Sequence, residues 1–583
     1  MRFSWWTRLV GRGANHSLES ARAVEPVETL VGFPAPASLR AQALSRALGV
    51  SVTVASWLDR LGHPDAEVTR RFLNPRLAEL TAPDSMLDRK PAAERIARAV
   101  RDKQRIVVFG DYDCDGMTSA AIFTEALRTL GADVTPILAS RFDGGYGFSG
   151  AALTRVLSER PGLLITCDCG SSDHAQLEKL APLGVDVVVV DHHLVPEQPL
   201  PVLAFLNPHR PGCAFPYKGL ASCGLALSVL AAVRAELGQA LDLRPLLDLV
   251  AIGTIADVAP LDGDNRALVR AGLKVLSEAR RPGVRALLDL AKIDAGTTLS
   301  AEDIAFRIAP RLNAPGRLGA PDLAVALLLA KTADAAQGIA AEIEQRQLER
   351  RAVQDRMLEE AMAEVERDGY RQRPALVIGR EGWNHGIVGI VAGRLASELG
   401  KPVVVIGFDA GVGRGSVRGP KGSRLHDAVS ACAPLLRRFG GHQAAAGLEV
   451  AIEQLAALRE AFEAACAALP PSQAVDDAPC VRLAPGDSLS KVLADLTGLE
   501  PCGESNPAPA LALVGRVVSA REVTGGHLKL ELSLDNGERL GAFGIGMGAR
   551  AATLTGEVAV SGKLRPDRYR GGNALELKLE KIW

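Results

Sequence analysis

Three aspartates alternate with other residues in the segment Gly110-Asp111-Tyr112-Asp113-Cys114-Asp115-Gly116. This segment follows the β-branched run Arg105–Phe109, which predicts a short buried strand. Three carboxylates so close together would repel one another unless a positive charge lay among them. A calcium loop of the EF-hand type would need flanking helices and a glutamate at its twelfth position, whereas this loop leaves a strand. The pattern therefore indicates a divalent-metal site, with a solvated turn as the alternative.

More carboxylates and imidazoles follow apolar runs further along the chain. These residues are Asp168, the triplet Asp191-His192-His193, and Asp257. Any one of them alone could be a helix cap or a structural residue. If all of these apolar runs are parallel strands, their carboxyl ends share one edge of a sheet, and the side chains can converge on one crevice. This mixture of ligands suits Mn²⁺ or Mg²⁺ better than a structural Zn²⁺.

The elements that would position these residues alternate between strands and helices from about residue 91 onward. Strands are predicted at 105–109, 134–138, 163–166 and 185–190. Strands that alternate with helices imply a parallel sheet, with functional residues at the carboxyl ends of its strands. A charged, alanine-rich stretch, 332–369, is nearly free of Gly and Pro and predicts one or two long helices.

The predicted fold class is α/β, with two α/β lobes joined by long helices and followed by a small β-barrel. About five short strand candidates after residue 510 indicate a five-stranded barrel of the OB type. The predicted parts are an N-terminal region of helices and loops (1–90), a metal-binding catalytic domain (91–320), connecting helices (321–370), a substrate-binding α/β domain (371–465) and the OB barrel (475–583).

Composition limits the class of protein and the kind of partner. The chain has 583 residues, too many for one hydrophobic core. Its 67 basic and 68 acidic residues leave a net charge of −1, so a polyanion such as DNA must be held by local patches or by metal ions. The nine cysteines form no C-x-x-C pair, which is typical of free cytosolic thiols. No apolar stretch has the length of a signal-peptide core or a membrane span, so we expect a soluble cytoplasmic protein.

Taken in order, these motifs resemble those of the DHH phosphoesterase superfamily. The aspartate-rich segment, Asp168, the Asp-His-His triplet and Asp257 are similar to the motifs of its first domain. The segments similar to the companion DHHA1 domain are 385–392, 413–418 and 440–447. Two more segments, 310–319 and 499–509, look like signatures of the superfamily branch that degrades single-stranded DNA. The resemblance covers roughly residues 75 to 583.

The resemblance implies two divalent ions, Mn²⁺ or Mg²⁺, in one active site. It implies that their ligands are Asp113, Asp115, Asp168, His192 and Asp257, with Asp111 and His193 binding metal directly or lying just outside the ligands. By the same analogy, Asp168 bridges the two ions, and Asp191 orients a histidine by accepting its second N–H. The implied reaction is hydrolysis of single-stranded DNA from the 5′ end to 5′-mononucleotides, in recombination and repair.

Candidate substrate-binding residues lie in the second lobe and in the segment before it. Arg414, Ser416, Arg418 and His442 fall in glycine-rich segments that we predict to be loops, where backbone N–H groups and guanidinium groups can approach a phosphate. The segment before this lobe offers Arg311, Asn313 and Arg317. Its two arginines could contact the DNA backbone or pair with carboxylates of the core. In the barrel, Tyr569 and Arg570 are candidates for stacking on bases and for charge.

Two other functions remain open at this point. The first is a phosphodiesterase of the same superfamily that cleaves short RNA or cyclic dinucleotides, although such relatives usually comprise only the two α/β lobes. The second is a non-catalytic scaffold, a class that loses metal ligands, whereas this chain keeps the full acidic set. Single-stranded DNA is the expected partner, a helicase and a single-strand-binding protein are further candidates, and we expect a monomer.

Overall fold

The computed structural model describes residues 30–63, 65–142, 147–443, 445–469, 480–567, 571 and 574–583. These residues form two compact units. One unit combines the residues before position 64 with 480–495 and 509–583, and the other contains 65–469 and 496–508. The predicted N-terminal region, 1–90, is therefore divided between the two units. The sequence did not predict this division because no feature of the first helices indicates which strands they pack against.

The α-helices of the described residues are connected by short 3₁₀ turns and loops. They are α1 (Leu39–Leu48), α2 (Val52–Arg60), α3 (Ala66–Leu73), α4 (Arg89–Arg101), α5 (Cys114–Thr129), α6 (Gly150–Ser158), α7 (His174–Leu177), α8 (Ser222–Leu237), α9 (Leu247–Ala256), α10 (Gly263–Glu278), α11 (Pro282–Leu290), α12 (Ala301–Asp303), α13 (Ala309–Arg317), α14 (Asp322–Leu328), α15 (Ala333–Arg367), α16 (Val388–Leu399), α17 (Leu425–Ala431), α18 (Leu455–Ala468) and α19 (Leu489–Gly498). A π-helical turn, Ile304–Ile308, joins α12 to α13.

The strands form three sheets. They are β1 (Arg105–Gly110), β2 (Asp133–Leu138), β3 (Leu163–Cys167), β4 (Asp186–Val190), β5 (Ala204–Leu206), β6 (Leu376–Glu381), β7 (Val403–Asp409), β8 (Val412–Arg418), β9 (Leu436–His442), β10 (Ala445–Ala451), β11 (Cys480–Arg482), β12 (Ala510–Val523), β13 (His527–Ser533), β14 (Arg539–Gly544), β15 (Glu557–Pro566) and β16 (Leu575–Ile582).

The first sheet has the order β2-β1-β3-β4-β5, and all of its strands are parallel. Every residue of β3 is buried, as are the four valines of β4, because helices cover both faces of the sheet. A polar side chain can reach solvent only where a strand ends. The predicted parallel sheet is confirmed.

Asp257 follows a helix rather than a strand, contrary to the prediction that it lies at a strand end. It caps the C-terminus of α9, whose residues Leu247–Ile255 are all buried. A short, continuous apolar run fits a helix buried on all sides as well as it fits a buried strand, so hydrophobicity alone cannot distinguish the two.

The second lobe begins after α15, a single helix of 35 residues that confirms the predicted helical connection. Its sheet has the order β6-β7-β8-β10-β9, in which β6 and β7 are parallel and the other pairs are antiparallel. The glycine-rich segment 413–418 is strand β8 rather than a loop, and 440–442 ends β9. Here the glycines make room for neighbouring side chains: a Cβ on Gly413 would lie 2.4 Å from the Phe408 ring.

The predicted five-stranded barrel of the OB type is also confirmed. Strands β12, β13, β14, β16 and β15 pair in that order, and β15 pairs back with β12 to close the barrel. Helix α2 belongs to this unit: the Thr53 hydroxyl donates to Asp487 Oδ2 at 2.7 Å and accepts from the Ala484 amide at 2.9 Å. No helix in the described parts of the chain is both long and apolar enough to cross a membrane.

Candidate metal centre

Backbone hydrogen bonds place three aspartates side by side at the carboxyl edge of the first sheet. The amide of Asp111 donates to the carbonyl of Cys167, that of Asp168 to Val190, and that of Asp191 to Leu206, at 3.0–3.1 Å. Each bond continues the pairing of one strand with the next by one residue. The sheet register therefore sets the spacing of these carboxylates.

The other two aspartates of the first motif lie at the N-terminus of α5. Asp113 caps this helix and accepts hydrogen bonds from the amides of Asp115 and Gly116 at 3.0 and 3.2 Å. Asp115 is fully buried and accepts from two amides at the start of α8, those of Ser222 at 2.7 Å and Cys223 at 2.9 Å. Helix N-termini carry partial positive charge, so the two helices stabilise these carboxylates. The strands of the sheet provide no such positive charge.

His192 lies at the centre of the cluster. Its Nε2 atom is 3.2 Å from Asp168 Oδ1, 3.6 Å from Asp257 Oδ2 and 3.8 Å from Asp115 Oδ2. Among the described residues, this buried nitrogen has no hydrogen-bond partner of normal geometry. A lone pair that faces three carboxylates fits a shared cation, so the residues present suit a bound metal ion.

The ligand atoms fall into three overlapping groups. Within each group they lie within 4.8 Å of one another, and the groups are Asp168/His192/His193, Asp115/His192/Asp257 and Asp111/Asp113/Asp168. Asp168 belongs to two groups and adopts a left-handed backbone conformation with φ of 61°. If two ions were bound, Asp168 would be a ligand that both could share.

The pKa values of the clustered aspartates also indicate that the site needs a positive charge. Burial, followed by repulsion from neighbouring aspartates, raises the pKa of Asp168 well above its usual value. The same causes raise the pKa of Asp257 to about 8. Burial and the charge of Asp113 raise the pKa of Asp111 as well, although Arg141 opposes this shift. A divalent cation would reverse these shifts because it favours the charged carboxylates.

Asp191 and His193 form a separate pair at the edge of the cluster. Asp191 Oδ1 lies 2.8 Å from His193 Nδ1 and also accepts from the His192 amide at 2.8 Å. Burial acts to lower the pKa of His193, but the hydrogen bond and charge of Asp191 outweigh it and raise the pKa to about 9. His193 therefore carries a proton at neutral pH in the metal-free protein, and Asp191 fixes the orientation of its ring.

Three guanidinium groups gather beside the carboxylates. Arg141 stacks over the ring of Tyr112 at 3.6 Å, Arg418 donates to Ser416 Oγ at 2.9 Å, and Arg317 donates to the Gly386 carbonyl at 2.8 Å. Burial and the positive charge of Arg141 lower the pKa of both Arg317 and Arg418. In the part of the chain that the structure describes, none of the three has a carboxylate oxygen within 4.0 Å, so the cluster is suited to an anion.

Sequence reasoning missed Arg141 because a lone arginine just after a strand has no distinctive spacing. Two other predicted residues have structural contacts. Arg311 pairs with Glu344 at 2.9 Å and donates to two backbone carbonyls, which favours the alternative of pairing within the core. Asn313 contacts the thiol of Cys114, beneath the aspartate segment.

Of the remaining candidate residues, the structure describes the side chain of Arg414 but not those of three others. Arg414, on β8, lies 3.9 Å from Glu449 Oε2 and donates to the Arg141 carbonyl at 3.5 Å. The side chain of His442 lies outside the described residues, as do Tyr569 and Arg570.

Comparisons with known proteins cover most of the chain. Family models match at residues 105–254 (DHH family, N-terminal domain), 372–468 (DHHA1 domain) and 481–581 (RecJ OB domain). The single-stranded-DNA-specific exonuclease RecJ of Bacillus subtilis is 35% identical over 85% of this chain, which spans only 63% of that relative's length. The exonuclease of the same name from Escherichia coli is 34% identical over 84% of this chain and 89% of its own.

A crystal structure of RecJ from Thermus thermophilus in complex with Mn²⁺ superposes with a TM-score of 0.80 at 32% identity, covering 93% of this chain and 78% of that one. A second structure of that protein, with Mg²⁺, gives a TM-score of 0.74 at 30% identity, covering 93% and 76%. From the three domain matches and the identity over most of the chain, we conclude that this protein belongs to the RecJ family of DHH phosphoesterases.

Proposed function

We propose that this chain is a metal-dependent exonuclease that hydrolyses single-stranded DNA in the 5′ to 3′ direction and releases 5′-mononucleotides. The observation that carries the proposal is the convergence of three carboxylates around His192 Nε2, with Asp168 shared between two groups of ligand atoms. The names of the relatives support the substrate class. Direction of hydrolysis and a role in recombination and repair are parts of the proposal.

Six residues would hold two Mn²⁺ or Mg²⁺ ions, and they are Asp111, Asp113, Asp115, Asp168, His192 and Asp257. Two ions bound close together lower the pKa of a water, neutralise the phosphate and stabilise the leaving oxygen. Asp168 is the proposed shared ligand. Asp191 holds the His193 ring in place, and this imidazole would be available to hydrogen-bond an oxygen of the reacting phosphate.

The guanidinium cluster would bind the phosphates of the incoming strand. Arg317, Arg418 and the newly recognised Arg141 carry charge that no carboxylate within 4.0 Å neutralises among the described residues, and DNA phosphates supply the missing anions. Arg414 and Ser416 extend this surface along β8. Because phosphates are the same at every nucleotide, these contacts hold the strand without reading its sequence.

The OB barrel would hold the strand outside the active site by combining cations with aromatic side chains. A helicase and a single-strand-binding protein are proposed partners, since the first produces single strands and the second keeps them single. We also propose that the protein is a monomer in the cytoplasm.

The test is a time course on single-stranded DNA labelled at the 5′ or 3′ end, with Mn²⁺, with Mg²⁺ and with EDTA. Wild type, Asp168→Ala and the exposed control Asp294→Ala are compared. Metal-dependent release of mononucleotides from the 5′ end by wild type and control, but not by Asp168→Ala, supports the proposal. Cleavage of dinucleotides or short RNA with inert long DNA would indicate the small-substrate function. No hydrolysis of either substrate would indicate a scaffold.

A further inference from the structure

The C-terminus of α9 adopts a Schellman motif immediately after the metal-site residue Asp257. Val258 has a φ of 61° and its amide donates to the Ile255 carbonyl at 3.1 Å, while the Ala259 amide donates to Thr254 at 3.2 Å. Glycine normally occupies the left-handed position of this motif because it has no Cβ to clash with the backbone. Here a valine occupies it.

Valine is among the least suitable residues for this conformation, since its branched Cβ crowds the backbone when φ is positive. Packing does not offset the strain: the Val258 side chain is 64% exposed, whereas Ala259 and Leu261 just beyond it are buried. The two hydrogen bonds of the motif hold this strained residue in place, and strained residues of this kind cluster at functional sites.

The position of Val258 indicates what it can touch. Its neighbour Asp257 lies 3.6 Å from His192 Nε2, so Val258 borders the carboxylate cluster. Leu194 follows His193 directly and is 70% exposed. Val258 and Leu194 are thus exposed aliphatic residues, and each comes directly after a metal-site residue in the sequence. The site that they border is otherwise polar.

We propose that Val258 contacts the base of a nucleotide flanking the scissile phosphate. The inference rests on the proposed function. An aliphatic side chain cannot bind the charged phosphate, but the unstacked bases of a single strand present apolar faces on either side of it. Every base has such a face, so the contact favours a nucleotide over a bare phosphodiester without selecting a sequence.

The experiment compares Val258→Gly and Val258→Asn with a matched control, Lys103→Gly. Lys103 occupies the same position of a second Schellman motif: its φ is 52°, its amide donates to Val100 at 3.2 Å, and the Gln104 amide donates to Ala99 at 2.9 Å. It lies just before β1, at the opposite end of that strand from Asp111. Both glycine variants relieve strain, and each should raise the melting temperature by roughly 1–2 °C.

Only the Val258 variants should affect the reaction. We expect KM for single-stranded DNA to rise roughly tenfold in Val258→Gly and Val258→Asn, which corresponds to about 1.4 kcal/mol of lost apolar contact. The affinity for Mn²⁺, measured by calorimetry without DNA, should stay unchanged. Lys103→Gly should retain the wild-type KM.

Oligonucleotides with an abasic site at the first or second nucleotide identify the contact itself. Wild type should lose roughly tenfold in kcat/KM at one of these positions, whereas Val258→Gly should lose little further, because its contact is already absent. An unchanged KM in Val258→Gly would overturn the inference, and so would weaker Mn²⁺ binding together with lower kcat, which would mean that Val258 only positions Asp257. If wild type itself leaves DNA intact, the proposed function fails instead.

Discussion

Replacing Asp257 with asparagine should stabilise the metal-free protein and abolish its activity. Burial, and then the charges of Asp115 and Asp113, raise the pKa of Asp257 from 3.8 to about 8. Because the folded-state pKa lies above the unfolded-state value, the folded protein binds this proton more tightly. Its contribution to stability is complete below about pH 4 and is lost as pH rises through about 8. Asparagine has a similar shape but stays uncharged at every pH, so the variant avoids this loss of stability.

The structure sets the size of the effect. A rise in pKa from 3.8 to about 8 corresponds to about 6 kcal/mol at about 1.36 kcal/mol per tenfold change in proton affinity. Water reaches the side chain, which is 19% exposed, and screens part of the repulsion. We therefore expect Asp257→Asn to raise the free energy of unfolding by about 2–4 kcal/mol at pH 8.5, and by less than about 1 kcal/mol at pH 4.

Urea denaturation in EDTA at pH 4, 6 and 8.5 measures this difference, with the exposed Asp294→Asn as the control. Added Mn²⁺ should then raise the midpoint for wild type far more than for the variant, because metal binds only the folded protein and needs the carboxylate. Equal free energies of unfolding at pH 8.5, or a variant that is less stable there, would refute the electrostatic reasoning. Activity without Asp257 would refute its assignment as a ligand.

Three further predictions concern other parts of the second unit. Arg418→Gln should raise KM for DNA and lower the slope of log affinity against log salt by about 1, with an unchanged melting temperature, as binding titrations at several salt concentrations would show. Arg281→Ala should lower the free energy of unfolding by about 3–5 kcal/mol, because two carboxylates that pair with this buried arginine would lose it; an unchanged urea midpoint would contradict this. Asp191→Asn should move the pKa of His193 from about 9 towards 6.5 in an NMR titration of the metal-free protein, and a pKa that stays near 9 would show that another group protonates the ring.

The sequence predicts the catalytic sheet well because buried parallel strands are continuous apolar runs. In such a run the first charged residue marks the end of the strand, as Asp111, Asp168 and Asp191 do. The register of the sheet then brings these residues together without further information. The number of short strand candidates likewise favours a small barrel, although its closure is visible only in the pairing of β15 with β12.

Predictions from the sequence failed where the same pattern of residues fits two different structures. The run before Asp257 is helical although its hydrophobicity would equally suit a strand. The glycines of β8 serve close packing rather than turns, which depends on Phe408 of a neighbouring strand. Arg141 joins the guanidinium cluster through tertiary structure, and the strain at Val258 is visible only in a backbone angle.

The division of the chain between its two units has a consequence for synthesis in the cell. Helix α2 is made early, but Asp487 and Ala484, which hold Thr53, emerge from the ribosome about 400 residues later. At roughly 5–20 residues per second, that delay is about 20–80 s. During this time the apolar face of α2, including Val54 and Leu58, has no completed core to enter. Helix α2 is thus among the last parts of its unit to fold, and a ribosome that stalls before the barrel is complete would leave the apolar face of α2 exposed.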